Sequence, residues 1–171
     1  MNRAQRTLRC PDIAIRPAAP DDREILSRMF VEAAYWRPEW PRPALREILQ
    51  RPELARYFAD WGRPTDVAFV AVEADGRSVG AAWFRLFTAE EPGYGYVGAD
   101  IPEIGIGVEA ASRGRGIGRL LIERLQDEAV RRGYAALSLR VHPDNPALRL
   151  YERAGFERIG GSALTMLWRV A

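Results

Sequence analysis

The sequence predicts a single α/β domain whose sheet is mostly antiparallel, with one parallel pair of strands at its centre. Three observations predict this class. Short apolar runs bounded by turn residues alternate with amphipathic helical stretches along the 171 residues. A D-G turn at Asp75 and Gly76 joins two apolar runs as a hairpin. A strand, a helix and a second strand follow one another between Glu103 and Val141, and such a crossover makes the two strands parallel.

The composition is that of an ordinary globular protein and narrows the possible chemistry. Hydrophobic residues make up 47% and charged residues 28%, and the formal net charge of +2 is too small to indicate a nucleic-acid partner. All 25 basic residues are arginine, which excludes lysine-based catalysis. Only Cys10 and His142 offer soft metal ligands, so neither a disulfide framework nor a metal site is expected.

The distribution of apolar residues bears on where the protein works. No apolar run approaches the length of a membrane span, and the first residues lack an apolar leader segment. The sequence therefore predicts a cytoplasmic protein without membrane contact.

The N-terminal half is predicted to contain a strand, two helical regions and a hairpin. Residues 1–11 are polar and are expected to form a flexible tail. A strand at residues 12–16 precedes a helix that starts near Pro20, with apolar residues at helical spacing. Prolines leave residues 35–43 irregular, and a second, proline-interrupted helical region follows at residues 44–61.

The hairpin strands are predicted at residues 67–72 and 79–87, and a loop at residues 88–101 follows them. This loop is rich in glycine, tyrosine and acidic residues, and it could be a mobile edge over a site or a solvated turn. Its acids would suit a cationic substrate, although a solvated charge run explains them better. They are Glu90, Glu91 and Asp100.

The C-terminal half begins with a strand at residues 103–108 that contains two glycines, which predict a bulge or a close approach to the backbone. A long amphipathic helix is expected at residues 119–132 and a strand at residues 135–141. A further helix begins after Asn145, and a hairpin closes the domain from residue 156 onward.

The most informative stretch is R-G-R-G-I-G at residues 113–118, between a strand and the long helix. Glycines let a ligand approach the backbone, and amide groups and the helix dipole favour negative charge at this position. The stretch therefore predicts a phosphate site. Its glycine spacing differs from the dinucleotide fingerprint, and the absence of lysine excludes a Walker A loop.

Two motifs together resemble the GNAT (GCN5-related N-acetyltransferase) superfamily. R-x-x-G-x-G at Arg113, Gly116 and Gly118 resembles its acyl-CoA motif, and V-H-P-D-N-P-A-L-R-L-Y-E-R-A-G-F at residues 141–156 resembles its second signature. The resemblance covers residues 102–159, whereas the N-terminal half agrees only in the order of its elements. It implies a twisted sheet whose central parallel strands splay apart to admit the cofactor.

The resemblance also implies the activity, which is acetyl transfer from acetyl-CoA to a primary amine. Cys10 lies far from every motif, so direct transfer in a ternary complex is expected rather than a covalent acyl-enzyme. A non-catalytic acyl-CoA-binding sensor is the alternative, and an interaction protein that uses the aromatic segment at residues 35–40 is a third reading. The acceptor, a small-molecule or peptide amine, and the oligomeric state stay open, although a homodimer would fit the resemblance.

The cofactor-binding candidates lie on the strand before the turn, on the turn itself and on the second signature. The resemblance implies that amides of the turn bind the pyrophosphate of coenzyme A and that the strand binds its pantetheine arm. The candidates are Ile106, Val108, Arg113, Gly114, Arg115, Gly116, Ile117, Gly118, Arg119 and Asn145. Asn145 also suits a plain helix cap, and both roles are compatible.

Acetyl transfer requires a polarised carbonyl, a deprotonated amine and a proton for the thiolate. The resemblance implies that backbone amides near Ile106 and Val108 polarise the carbonyl and that Tyr151 is the acid. Tyr151 also fits the apolar face of its own helix, as a core residue would.

Glu103 is the candidate base, because it begins the strand that the resemblance assigns to the cofactor. Its other reading is a solvent-facing strand end, and Glu109 and His142 are weaker alternatives. The acceptor is expected to meet aromatic side chains, although residues 35–43 could equally cap the core. The candidates are Tyr35, Trp36, Tyr94 and Tyr96.

Overall fold

The computed structural model describes residues 12–160 and 164–170. The strands are β1 Ile13–Pro17, β2 Val67–Glu73, β3 Ser78–Arg85, β4 Glu103–Val108, β5 Ala136–Arg140, β6 Glu157–Arg158 and β7 Thr165–Arg169. The helices are α1 Arg23–Ala34, α2 Leu45–Ile48, α3 Pro52–Ala55, α4 Ile117–Arg131 and α5 Leu148–Arg153. The predicted tail at residues 1–11, with Cys10, lies outside the described residues.

The strands form one seven-stranded sheet in the order β1-β2-β3-β4-β5-β7-β6. All neighbours are antiparallel except β4 and β5, which confirms the predicted class. The parallel pair is in register only at Glu103 and Ser138, where the Ser138 N–H donates to the Pro102 carbonyl over 2.9 Å. Beyond this rung the two strands separate, so the edge of β4 that faces β5 lacks a partner strand in the described chain.

Helices cover both faces of the sheet. On one face α4 buries Leu121, Ile122 and Leu125. On the other face α1 buries Met29 and Phe30 against the opposite side of β3 and β4. The helical spacing of apolar residues predicts that each of these helices has a buried face, because this signal depends only on residues close together in the chain.

The glycines of β4 have a different cause from the predicted bulge. The β3–β4 register runs without a shift, so of the two predicted alternatives the structure shows no bulge here but a close approach to the backbone. A Cβ atom at Gly107 would overlap the Met29 carbonyl oxygen, and one at Gly105 would lie 2.5 Å from the Trp83 ring. The two glycines therefore let α1 and Trp83 pack directly on the strand.

Two segments are shorter than the sequence predicts. The second helical region contains only the single turns α2 and α3. Strand β3 ends at Arg85, whose fully buried guanidinium pairs with Asp66 at 2.7 Å and donates to the Arg56 and Ala59 carbonyls. This buried network fixes the loop before β2 against the end of β3.

Within residues 12–160 and 164–170, no helix is both long and apolar enough to cross a membrane. The same residues contain no group of three or more His, Cys, Asp or Glu side chains placed to hold a metal ion.

Candidate active site

A cavity of about 1030 Å³ lies where β4 and β5 separate. Its walls are β4, the turn before α4, the end of β5, α5 and the C-terminal end of α1. This volume is at the upper end of the range for small-molecule and cofactor sites. Nine of the ten cofactor candidates line it, namely Ile106, Val108, Arg113, Gly114, Gly116, Ile117, Gly118, Arg119 and Asn145.

The glycine-rich turn presents the N-terminus of α4 to this cavity. Gly114 and Gly116 have φ angles of 77° and 80°, a left-handed conformation that other residues rarely adopt. Gly116 is the N-cap of the 15-residue helix α4, whose first amide groups have no acceptor within the helix. Since the helix dipole adds positive potential there, the turn can hold an anion in the cavity.

The arginine side chains of the motif fasten the turn to its surroundings. Arg113 donates to the Val108 carbonyl over 3.0 Å and pairs with Glu32 of α1 at 2.8 Å. Arg119 pairs with Glu123 at 2.8 Å. Arg115 pairs with Glu73 and is the cofactor candidate that does not line the cavity. The backbone amides, rather than these guanidinium groups, are therefore the donors that the turn leaves open.

Asn145 acts in its own loop. Its side-chain oxygen accepts a hydrogen bond from the Ala147 N–H over 2.9 Å, and α5 begins one residue later, at Leu148. This contact fits the capping role, and Asn145 lines the cavity as well. The geometry keeps both predicted roles open.

Glu103 is a buried carboxyl, only 5% exposed, rather than a solvent-facing strand end. Its Oε1 accepts a hydrogen bond from the Tyr57 hydroxyl over 2.8 Å. Its Oε2 has no hydrogen-bond partner in the described chain. Burial raises the pKa of Glu103 to about 7, although Tyr57, the Gly95 amide and the Arg140 charge favour the carboxylate. A carboxyl with this pKa exchanges its proton near neutrality.

Tyr57 is the site residue that sequence reasoning missed. It lies 46 residues before Glu103 and belongs to no motif, so no local pattern connects them. Its hydroxyl accepts a hydrogen bond from the Tyr94 N–H over 2.7 Å. Burial, with the Glu103 charge second, raises the pKa of Tyr57. The phenol therefore stays protonated and donates its hydrogen to Glu103.

Residues 92–96, P-G-Y-G-Y, form a glycine cap over Glu103. A Cβ atom at Gly93 would overlap Glu103 Oε2, and one at Gly95 would lie 2.6 Å from the Leu139 carbonyl carbon. Only glycine allows this segment to pack so closely on β4 and β5. The unusual G-Y-G-Y pattern was the available sequence signal. The acids of the surrounding loop are exposed and do not line the cavity.

Ser138 faces Glu103 across the only rung of the parallel pair. It is fully buried, and its hydroxyl, like Glu103 Oε2, has no hydrogen-bond partner in residues 12–160 and 164–170. Side chains on one rung of adjacent strands point to the same face of a sheet. The two buried oxygens without a hydrogen-bond partner therefore belong to neighbouring residues on one face of the sheet, where the strands begin to separate, and such groups usually bind a water molecule.

Tyr151 lies on α5, and its ring is buried edge-on against Phe156, with 6.0 Å between the ring centroids. The residue lines the cavity, and its hydroxyl makes no hydrogen bond to any residue that the structure describes. Burial raises the pKa of Tyr151, so the hydroxyl stays protonated. The buried ring fits the predicted role of a core residue, and the hydroxyl without a hydrogen bond fits the predicted role of a proton donor.

The aromatic acceptor candidates are dispersed. Trp36 lines the cavity and packs 5.9 Å from His142, the residue after Val141. Tyr35 packs against the core on the α1 side, and neither Tyr94 nor Tyr96 lines the cavity. Tyr94 instead stacks on Tyr57 at 6.2 Å.

The two alternative bases are occupied or open to solvent. Glu109 forms ion pairs with Arg28 at 3.0 Å and with Arg77 at 2.7 Å. His142 is about half exposed. Glu103 is the most deeply buried of the three candidates and lies at the rung where the strands separate, although it is not among the residues that line the cavity.

A splayed parallel pair with a glycine-rich turn at a helix N-terminus beside it defines a ligand-binding α/β protein. The family model that matches it is the Acetyltransferase (GNAT) family, over residues 26–156. The chain belongs to this family. The resemblance that the two motifs carried is thereby confirmed.

Relatives of known name include the mycothiol acetyltransferase of Rhodococcus jostii, 35% identical over 158 residues, which cover 86% of this chain and 46% of that protein. The streptothricin acetyltransferase of Streptomyces lavendulae is 34% identical over 135 residues, which cover 68% of this chain and 64% of that protein. The chain thus spans about half the length of the mycothiol acetyltransferases and two thirds of the streptothricin enzyme.

Solved structures with the same fold include a GCN5-related N-acetyltransferase from Kribbella flavida, with a TM-score of 0.68, 22% identity and coverage of 94% of this chain and 99% of that one. The PaiA N-acetyltransferase from Thermoplasma acidophilum, solved in complex with coenzyme A, has a TM-score of 0.64 at 17% identity and covers 92% and 99% of the two chains. At these identities the likeness concerns the fold.

Proposed function

We propose that this chain is an N-acetyltransferase that moves an acetyl group from acetyl-CoA to a primary amine by direct transfer in a ternary complex. The observation that carries the proposal is Glu103, a buried carboxyl with a pKa of about 7 at the apex of the gap between β4 and β5. A general base works best when its pKa lies near the working pH. The names of the relatives support acetyl transfer as the reaction.

The donor would occupy the cavity between the two strands. Amides of the turn at Gly114 and Gly116 would hold its pyrophosphate, and the unpaired edge of β4 would bind its pantetheine arm as a strand binds its neighbour. Bound there, acetyl-CoA supplies an activated thioester carbonyl. Backbone amides at Ile106 and Val108 are the donors available to polarise that carbonyl.

Glu103 would remove the proton from the acceptor ammonium. Its Oε1 is held by Tyr57, whereas its Oε2 and the Ser138 hydroxyl have no partner in the described residues. We assign these two oxygens to one water molecule, through which the proton reaches the carboxylate. The freed amine then attacks the carbonyl carbon.

Tyr151 would protonate the leaving group. When the carbon–sulfur bond breaks, the sulfur retains the electron pair, and the Tyr151 hydroxyl donates its proton to the thiolate. A raised pKa keeps this hydroxyl protonated before the step. The nitrogen loses two protons in all. Glu103 takes the first before the attack, and the second leaves the tetrahedral intermediate and restores the Tyr151 phenol. The products are therefore the amide, the free thiol and one proton on Glu103, which is released to solvent.

The test is release of free thiol from acetyl-CoA in the presence of a panel of primary amines. We expect amine-dependent release by the natural protein and loss of it in Glu103→Gln, which keeps the shape of the side chain and the hydrogen bond from Tyr57. The alternative, a non-catalytic sensor, predicts thermal stabilisation by acetyl-CoA without thiol release for any amine. No stabilisation by acetyl-CoA at all would contradict both.

A further inference from the structure

Two arginines that line the cavity, Arg140 on β5 and Arg153 on α5, are left unused by the proposed reaction, and Arg140 is the one on the strand that pairs with Glu103. Arg140, the last residue of β5, lines the cavity and is exposed there. Its guanidinium forms no hydrogen bond or ion pair with residues 12–160 or 164–170. The arginines of the phosphate turn that line the same cavity, Arg113 and Arg119, are each paired with a glutamate.

Arg140 lies on the same face of the sheet as Glu103. Ser138 is the rung partner of Glu103, and Arg140 lies two residues beyond it, so both charged side chains leave the same face of the sheet. Strand geometry places their Cα atoms about 8 Å apart. At this separation the Arg140 charge favours the carboxylate of Glu103 and so opposes the rise of its pKa that burial causes.

The aromatic wall on this face belongs to the loop after α1. Trp36 lines the cavity, and it contacts His142, two residues after Arg140. Arg37, the other cation nearby, stacks on Trp36 at 4.6 Å and pairs with Asp144 at 2.7 Å. Arg140 is therefore the guanidinium on this wall that retains its full hydrogen-bonding capacity for a ligand.

We propose that Arg140 binds a carboxylate of the acceptor, so that the acceptor is an amine with a carboxylate a few bonds away, the chemical class of free amino acids. The inference rests on the proposed function, because Glu103 takes the amine proton. The planar guanidinium matches a carboxylate with two parallel hydrogen bonds. A zwitterion then places its ammonium beside Glu103 and its carboxylate beside Arg140.

The experiment compares matched acceptors at saturating acetyl-CoA. Free amino acids are measured against their amides and decarboxylated amines, for example leucine, leucinamide and isopentylamine. We expect the amino acid to have a kcat/KM about 10- to 100-fold higher, the factor of a charge-assisted hydrogen bond. The amide is the more easily deprotonated amine, so this preference cannot arise from basicity.

The comparison is made at pH 9, where Glu103 is charged whether or not Arg140 is present. There the variant Arg140→Gln should remove that preference by raising KM for the amino acid about 10- to 100-fold, with a much smaller effect on kcat and on the decarboxylated amine. Arg140→Lys should restore part of it. Arg169→Gln is the matched control, because Arg169 is an exposed arginine of the neighbouring strand β7 that does not line the cavity.

Equal rates for the three acceptor types, or an equal loss for all of them in Arg140→Gln, would overturn the carboxylate proposal and leave the transferase intact. Thiol release with no amine would overturn the proposed function instead. In that case the acetyl-CoA complex should still gain thermal stability from free leucine, and Arg140→Gln should lose this gain. If leucine did not raise the thermal stability of the acetyl-CoA complex, the carboxylate site would be rejected as well.

Discussion

Replacing Tyr57 with phenylalanine removes one hydrogen bond from Glu103 and keeps the ring in place. The ring packs against Phe30, Phe87 and Tyr94, with centroids 5.8, 4.9 and 6.2 Å away. The lost hydroxyl donates to Glu103 Oε1 over 2.8 Å and favours the charged carboxylate. Its removal therefore raises the pKa of Glu103 further, and the proposed base is charged only at higher pH.

The size of this effect follows from the hydrogen bond. A hydrogen bond to a charged group is worth about 1.5–3 kcal/mol, and one pH unit corresponds to about 1.4 kcal/mol. At the lower end of that range the variant should titrate about one pH unit higher than the natural protein, near pH 8. At pH 7 the charged fraction falls from about one half to about one tenth, so kcat/KM should fall about fivefold.

The assay is the pH dependence of kcat/KM with saturating acetyl-CoA. Activity of the natural protein should be lost as the pH falls through about 7, and the same limb in Tyr57→Phe should lie about one pH unit higher. The two proteins should be nearly equal at pH 9. Tyr134→Phe is a matched control, because Tyr134 packs on Phe84 and does not line the cavity.

A uniform loss of activity in Tyr57→Phe at every pH would refute the reasoning, since a purely structural defect has no reason to follow the charge of Glu103. An unmoved acid limb with full activity would show that the hydrogen bond does not control the base.

Three further predictions concern the same site. Because folding raises the pKa of Glu103 from 4.5 to about 7, the folded state binds the proton more tightly than the unfolded state, and stability should fall as the pH rises between these values. Over that window the free energy of unfolding, measured by chemical denaturation, should decrease by about 3 kcal/mol. Glu103→Gln should abolish this part of the pH dependence. If the free energy of unfolding changed with pH equally in both proteins, the burial of an uncharged carboxyl would be contradicted. Tyr151→Phe should lower kcat about a hundredfold at saturating acetyl-CoA, and an unchanged kcat would remove Tyr151 as the acid. Ser138→Ala should lower kcat/KM for the amine about tenfold by loosening the relay water, with the affinity for acetyl-CoA and the melting temperature preserved; full activity would show that Ser138 does not hold that water.

The elements of the fold were predictable because their signals are local. The apolar spacing of α4 and the crossover between β4 and β5 depend on residues close in the chain. The turn at residues 113–118 also has a local signal, because its left-handed glycines are adjacent in sequence to the helix N-terminus that follows them. Lengths were less predictable, and α2 and α3 proved to be single turns.

The glycines of β4 mark the limit of local reasoning. The missing side chains correctly indicated that a group approaches the strand closely. Which group does so, the backbone of α1 at Gly107 and the ring of Trp83 at Gly105, depends on how distant elements pack.

By itself, the sequence determined the class of fold, the turn that can hold a phosphate, and Glu103 and Tyr151 as candidates for proton transfer. Only the tertiary structure decided the state of Glu103, because its pKa depends on burial under the glycine cap and on Tyr57, 46 residues away. It likewise brought Ser138 and Arg140 to the face on which Glu103 acts. A sequence motif records which groups are present, whereas charge and hydrogen bonding depend on the surroundings that folding assembles.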